Sequence, residues 1–343
     1  MAEYSGNKID YLLLKRVLKL AIPYKKIFIW AAILAIVIAP MATMRPYLIS
    51  VIVDQYIFKY DIPGLTKMVI LFMVVLFATV VLRYFFIYST NLLGQNIIRD
   101  LRINVFNHIS SLKLGYFDKT PIGTSTTRTI NDIETINTVF TQGVITMIAD
   151  ILGLIAVLVV MFISSWKLTL ICLTTMPLII IATYIFKEKV KASYQVVRTQ
   201  ISKMNAFLQE RITGMRIIQI FNAEEKEMAK FKAINREYTK ANLDAILYYA
   251  VFFPVVEIVS ALSLAIMVWW GARGIIDDSV SIGALVAFPI YLGMLFRPMR
   301  MLADKFNTLQ MGLVAAERVF KVLDNTEQIP NKVDGIVPKK DRR

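Results

Sequence analysis

The sequence predicts an all-α membrane protein with six transmembrane helices, long cytoplasmic helical extensions and an N-terminal interfacial elbow helix. Three observations carry this fold class. First, 57% of the 343 residues are hydrophobic and the mean hydropathy is +0.58, whereas a soluble domain is usually about 45–50% apolar. Second, six apolar runs are each long enough to cross a bilayer core of roughly 30 Å, which takes about 20 helical residues. Third, the basic residues fall almost entirely on one side of those runs. The net charge of +14 is therefore read as positive flanks on membrane helices. It forms no compact basic domain, so nucleic acid is not expected as a partner.

Residues 1–26 form an N-terminal tail and elbow helix. In "DYLLLKRVLKLAIPYKK", Leu13, Leu14, Val17, Leu18 and Ala21 share one face, and Lys15, Arg16 and Lys19 lie largely on the other. With Pro23 ending it, the pattern predicts a helix lying on the inner leaflet. The segment lacks the short apolar core of a cleavable signal, so the first span is expected to be retained.

The spans are read as Ile27–Val53, Met68–Tyr88, Val144–Ser164, Leu168–Phe186, Leu247–Gly271 and Ser279–Phe296. Pro40, Pro177, Pro254 and Pro289 fall inside them, which membrane helices tolerate where neighbours satisfy the freed carbonyls. Of the 39 Lys and Arg residues, 33 lie in the two termini and the two long loops, four lie in the short loops, and Arg45 and Arg83 lie inside spans. This imbalance predicts a multi-pass membrane protein with both termini and both long loops in the cytoplasm. The external loops are too short to hold a folded domain.

No Gly or Pro interrupts residues 178–213, nor residues 215–253; Gly214 stands between. A helix of 36 residues is about 54 Å long, so the fourth span is expected to continue as a rod beyond the membrane, turn near Gly214 and return into the fifth. The insert between spans two and three has a similar build, with Gly115, Pro121 and Gly123 marking its turn. Val197, Ile201, Met204, Phe207 and Leu208 give the second arm an apolar stripe, as expected of helices packed on each other. Its tip, "TGMRIIQIFNAE", gathers Ile217, Ile218, Ile220 and Phe221 far from any membrane-length run. Two readings stay open there: local packing, and an aromatic anchor for a partner's pocket.

Charges inside spans are expensive and are functional candidates by default. Arg45, Arg83, Asp150 and Glu257 lie within spans, and Arg297 and Arg300 follow span six on one helix face. Pairing inside the bundle and snorkelling to headgroups compete with a role toward cargo. The lone histidine, His108, reads as a surface residue, and the lone cysteine, Cys172, has no partner for a disulfide or a metal cluster. No metal is assigned.

Three segments in order carry a resemblance: "YFDKTPIGTSTTRTINDIETI", "ERITGMRIIQIFNAEEKEMAKF" and "LFRPMRMLADKFNTLQMGLVAAERVFKVLD". With the span count and the elbow, the chain resembles the transmembrane domain of a bacterial ABC exporter, the six-span, domain-swapped half-transporter of the lipid A flippase and multidrug exporter family. On that resemblance residues 27–323 are the transmembrane domain and residues 324–343 a linker toward a nucleotide-binding domain. The loop tips would be coupling helices that dock into that domain. The first would lie around Asp118, Thr120, Pro121, Gly123 and Arg128, and the second around Gln219, Phe221, Asn222 and Glu224, with Phe221 the key contact. The second would dock on the opposite subunit, because spans four and five cross over. The partners implied are a second copy or a paralogue, the nucleotide-binding domain and membrane lipid.

Arg45, Arg83, Glu257, Arg297 and Arg300 would line the substrate cavity. "FRPMR" is similar to the segment where lipid A flippases use basic residues against phosphorylated headgroups, and Arg83 matches another such position. A third, in span three, is Ala149, a departure that leaves the cargo open among lipids and drug-like amphiphiles.

None of the 14 glycines is followed by Lys, and no two are adjacent, so neither a Walker A loop nor the family signature is present. We expect no cofactor bound by this chain and no ATPase activity from it, with ATP and Mg held by the domain that would follow. The chain stops at "VDGIVPKKDRR", about where that domain begins in the family; this leads us to expect a shortened chain or a separately encoded membrane subunit. The alternative function is a membrane scaffold or binding subunit that reuses the fold without transport. A membrane enzyme is disfavoured, since no nucleophile, base and metal-ligand set converges.

Overall fold

The computed structural model describes residues 10–329. Every regular element among them is helical; the single β-type pairing is an isolated bridge between Leu112 and Gln328. The chain divides into two compact units, residues 1–161 with 286–343, and residues 162–285. Among the described residues five helices or helix runs are long and apolar enough to cross a membrane, and Ile282–Pro298 is a shorter apolar stretch.

In the first unit α1 (Tyr11–Lys19) starts at Asp10, whose carboxylate accepts the backbone N–H groups of Leu12 and Leu13 at 2.9 and 3.1 Å. A 3-10 turn at Ile22–Tyr24 carries Pro23 and leads into α2 (Lys25–Val51). Pro40 and Pro46 both lie inside α2. A π turn at Ile52–Ile57 ends this run, and α3 (Ile62–Ser110) follows as one 49-residue helix. The second predicted span and the ascending half of the first arm are thus continuous. Two short helices, α4 (Leu114–Lys119) and α5 (Ile122–Thr127), make the turn. The return rod runs through a π turn (Arg128–Asp132), α6 (Ile133–Thr138), a second π turn (Val139–Val144) and α7 (Ile145–Ser164). Gly143 leaves helical geometry at φ −90°, ψ −107°, and places a kink where the rod enters the apolar stretch.

The core of this unit lies where α1, the end of α3, the α6–α7 rod and the end of α12 (Ile282–Leu323) meet. Val17, Leu93, Val105, Ile133, Val139, Phe140, Ala316 and Val319 are fully buried there. The apolar face predicted for the elbow helix is the face that packs into this core. Two glycines permit the close approach. A Cβ on Gly94 would meet Asn137 Oδ1 at 2.1 Å, and one on Gly312 would meet Val139 Cγ2 at 2.1 Å.

The second unit is a long helical hairpin. The predicted fourth span is not continuous: α8 (Trp166–Thr174) stops at Thr175, and α9 runs from Met176 to Thr213. Pro177 is the cause. It has no N–H and its ring crowds the carbonyl four residues back, so it sits at a helix start rather than inside a helix. Thr175 Oγ1 caps the break by donating to the Cys172 carbonyl at 2.8 Å, and it also meets Ser263 Oγ at 2.8 Å.

A short α10 (Met215–Ile220) precedes α11 (Glu224–Ile276), which keeps Pro254 inside it. Beyond the Thr175–Ser263 bond, α9 and α11 meet through a stacked Phe186–Phe252 pair at 3.9 Å. Val197 then packs against Ala241 and Ala245, and Phe207 stacks with Phe231 at 6.1 Å. Each step along α9 is matched by an equal step back along α11, so one antiparallel register holds to the tip. The steps are close to eleven residues, three helical turns, which returns each contact to nearly the same face.

Candidate functional site

The second arm ends in a built turn. Gly214 closes α9 by donating its N–H to the Glu210 carbonyl at 3.0 Å. After α10 the Ala223 N–H reaches the Ile218 carbonyl at 2.9 Å and the Asn222 N–H reaches the Gln219 carbonyl at 3.2 Å, a Schellman closure. That closure needs a left-handed residue, and Asn222 supplies it at φ 51°. The four apolar residues of the tip then separate. Ile218 is buried, whereas Ile217, Ile220 and Phe221 point out, Phe221 with 76% of its surface exposed. Ile218 thus packs locally, and Phe221 is left free of that packing.

Gln219, Asn222 and Glu224 are exposed beside them. Glu224, Glu225 and Glu227 fill the first turn of α11, where the helix dipole favours acids. Glu227 is held at 2.7 Å from both Arg211 Nε and Lys230 Nζ. The Lys230 hydrogen bond, with the charges of Arg211, Lys230 and Lys226, holds its carboxyl below the usual carboxylate range. This tripod fixes the arm tip in place.

The first tip, where a short coupling helix is expected around residues 118–128, is made of two short helices. Lys113 to Lys119 make one turn, Thr120 and Pro121 are extended, and a second turn follows. Proline disfavours the helical region for the residue before it, and Thr120 obeys at φ −116°, ψ 116°. Asp118, Pro121 and Gly123 are exposed and Thr120 is half-buried. Arg128 lines an open pocket of about 380 Å³ with Gly123, Thr124, Thr127, Asp132 and Arg318. Arg318 reaches Asp132 at 3.5 Å, which ties α12 to the base of this tip.

The residues expected around a substrate path sit on α2, α3, α11 and α12. Arg45 is half-buried on α2, with its Nε buried and without a hydrogen-bond partner among the described residues. Arg83 on α3 and Arg297 on α12 are exposed. Glu257, exposed on α11, belongs to the second unit. Arg300 lies on α12, and its side chain falls outside the described residues. Asp150, another intramembrane charge, pairs with Lys305 of α12. Lys305 lies beyond the last apolar run, and nothing in its local pattern marks it as the partner of a residue 155 positions away.

Three other polar assemblies escape sequence reasoning for the same reason. Arg16 does not simply face headgroups. Its guanidinium makes a two-pronged ion pair with Asp324. His108 is no bare surface residue; both of its ring nitrogens are engaged by the segment after α12. Tyr24, at the start of α2, donates to Asp100 on α3, and Arg99 Nη2 donates back to the Tyr24 hydroxyl at 3.0 Å. The Tyr24 hydrogen bond, then those from Arg99, keep the Asp100 carboxyl below its ordinary value. Among the described residues no group of three His, Cys, Asp or Glu converges to hold a metal ion.

Comparison with known proteins places this arrangement. Residues 27–299 match the family described as the ABC transporter transmembrane region. The chain is 32% identical to the uncharacterized ABC transporter ATP-binding protein YknV of Bacillus subtilis, over 94% of this chain and 54% of that protein. It is 29% identical to an ATP-dependent lipid A-core flippase of Desulfotalea psychrophila, over 93% of this chain and 56% of that one. A probable multidrug resistance ABC transporter ATP-binding/permease protein of Bacillus subtilis, YheH, is 28% identical over 83% of this chain and 43% of its own length. The chain thus spans about half the length of the curated relatives it matches. With its helical, multi-span fold and its three ordered motifs, this chain belongs to the ABC transporter transmembrane region family.

Proposed function

We propose that this chain is the translocation domain of an ATP-driven exporter or lipid flippase, moving an amphipathic cargo from the inner leaflet of a bacterial inner membrane by alternating access. The observation that carries the proposal is the second arm tip, where Ile217, Ile220 and Phe221 stand exposed on a turn fixed by a Schellman closure and the Arg211–Glu227–Lys230 tripod. A rigid rod of roughly 57 Å, from the 38 residues of α9, ending in an aromatic knob suits transmission of force from a partner. In this reading two copies, or a copy and a paralogue, enclose the path. ATPase domains holding ATP and Mg grip the two tips through Asp118–Arg128 and Gln219–Glu224, and the termini face the cytoplasm. Arg45, Arg83, Arg297 and Arg300 favour an anionic headgroup on the cargo.

The test is reconstitution of the chain with its ATPase domain in vesicles that carry a fluorescent phospholipid, read as ATP-dependent gain of quencher access. Phe221→Ala is expected to weaken ATPase-domain binding about 30- to 1000-fold, as a hot-spot anchor does, and to abolish ATP-dependent movement. Because Phe221 is exposed, the fold itself stays intact. Binding and movement equal to wild type in Phe221→Ala would remove the knob from the mechanism.

A further inference from the structure

The chain that leaves α12 is fastened at several points. Asp324 accepts from Arg16 Nη1 and Nη2 at 2.7 and 2.6 Å, and the same guanidinium lies 4.1 Å from the Phe320 ring centroid. One residue on, His108 of α3 takes over. Its Nε2 lies 3.0 Å from the Asn325 carbonyl oxygen and its Nδ1 3.0 Å from Gln328 Nε2. With Nε2 donating to the carbonyl, Nδ1 accepts from the amide, so one neutral tautomer satisfies both partners.

The backbone then closes. The Lys113 N–H donates to the Glu327 carbonyl at 3.0 Å, and the Ile329 N–H donates to the Ser111 carbonyl at 2.9 Å. These bonds frame the antiparallel bridge between Leu112 and Gln328, and Leu112 is buried beneath it. Asn325 shapes the segment from within, its Oδ1 accepting from the Glu327 N–H at 2.9 Å. A connecting segment normally leaves such groups to water. Here an ion pair, an imidazole and a two-bond backbone bridge are spent on residues 324–329.

We propose that residues 324–329 are a strap, and that His108 and Arg16 are positioning residues that fasten the outgoing end of α12 to α3 and α1. The three helix ends then move as one body, and load arriving along the chain after α12 is shared with the first arm and the elbow. The mechanical part of this rests on the exporter reading above; the strap itself does not.

Two experiments separate these. Hydrogen exchange on the 343-residue chain in lipid nanodiscs reads the strap directly. His108→Ala is expected to speed exchange at the Lys113 and Ile329 amides about tenfold, the size of one lost hydrogen-bond anchor. His108→Gln, which keeps a donor and an acceptor, is expected to fall between, and amides of the α9–α11 hairpin are expected to stay unchanged. Unchanged exchange at Lys113 and Ile329 in His108→Ala overturns the strap.

The one-body claim is read by a disulfide in the ATP-driven protein. Leu112 and Gln328 face each other as a non-hydrogen-bonded pair, whose Cα atoms lie about 4.5 Å apart, within disulfide reach. Buried Cys172 does not compete. Leu112→Cys with Gln328→Cys is expected to transport equally when oxidised and when reduced, so its own packing loss cancels. Loss of transport on oxidation, restored by reductant, overturns one-body motion and makes the strap a latch that must open. Absence of ATP-dependent transport in the unsubstituted protein would sink the exporter reading while the exchange result still decides the strap.

Discussion

In the first unit, the end of α3 and the α6–α7 rod pack against α1 and the end of α12 around fully buried side chains such as Phe140, Ile133 and Val319. In the second unit, α9 and α11 of the arm meet through a thin seam in which Val197, Ala241 and Ala245 are the buried members. The first arm is braced from several directions by apolar packing and by ion pairs from Arg102 and Arg318. The second is a two-helix rod whose stiffness comes from a constant register and a locked tip. Burial of a whole side chain contributes roughly 1.5–3 kcal/mol, so the two arms differ in how much one substitution removes. The difference suits a braced base in one unit and a lever with unsatisfied apolar faces, such as Leu243, Ile246 and Leu247, in the other.

The largest effect that tests this contrast is cavity formation. Phe140→Ala in the first unit is expected to cost about 3–5 kcal/mol, as buried Phe truncations do. Val197→Ala in the second is expected to cost about 1–2 kcal/mol, since two buried methyl groups are lost into a seam that solvent or lipid can relax. Denaturant unfolding in one detergent, with tryptophan fluorescence as readout, compares them. Equal losses would show that the thin seam is as critical as the thick core.

A smaller effect sharpens the same comparison from the side of overpacking. Gly312→Ala would bring a Cβ to 2.1 Å from Val139 Cγ2, and Val139 is fully buried and stiff at χ1. About 1–3 kcal/mol of destabilisation is expected. At the tip of the second arm Asn222→Gly is the matched change, and at φ 51° it is expected to be neutral or slightly stabilising. Thermal midpoints of the two variants should move in opposite directions or differ clearly. A tolerated Gly312→Ala would mean that α12 is free to shift away from the α6–α7 rod.

Much of this architecture was legible in the chain. Apolar runs locate the spanning helices because lipid forces backbone groups to pair within a helix. The unbroken stretch before Gly214 likewise marks α9, since only Gly or Pro ends a rod so well suited to helix. Pro177 was misread as an interior proline, because its position relative to Thr175 is settled by a side-chain cap that composition does not reveal. The turn region around Pro121 was legible, and the break between α4 and α5 falls at Thr120, which the following proline keeps out of the helical region. The tip residues were found by their contrast with a polar arm, although the split of Ile218 from Phe221 depends on the turn closure. Asp150–Lys305, Arg16–Asp324 and the His108 anchors were invisible, because each joins residues more than 150 positions apart and helical periodicity reports only on near neighbours.

The smallest expected effect is on acid response, and it separates the two units by the partners of their carboxylates. Asp324 and Asp100 in the first unit and Glu227 in the second are all held below the ordinary carboxylate range. The leading cause is a hydrogen bond from Arg16 for Asp324, from Tyr24 for Asp100 and from Lys230 for Glu227. A lowered folded-state value means the stabilisation is fully present above the unfolded value, near 4, and is lost as pH falls through the lower folded value. Both the elbow contacts and the second tip are therefore expected to loosen below about pH 4 and to be indifferent between about pH 5 and 8. All three sites are largely solvent-screened, so each loss is small. Salt distinguishes them. At about 1 M ionic strength the screening length falls to roughly 3 Å, which should weaken the Lys230–Glu227–Arg211 tripod while sparing Tyr24–Asp100, whose donor is neutral. Hydrogen exchange of the Ala223 amide against that of α2's first turn, measured at low and high salt on both sides of pH 4, reads this directly. A tip whose exchange ignores both acid and salt would show that the Schellman closure alone sets the tip, with the tripod idle.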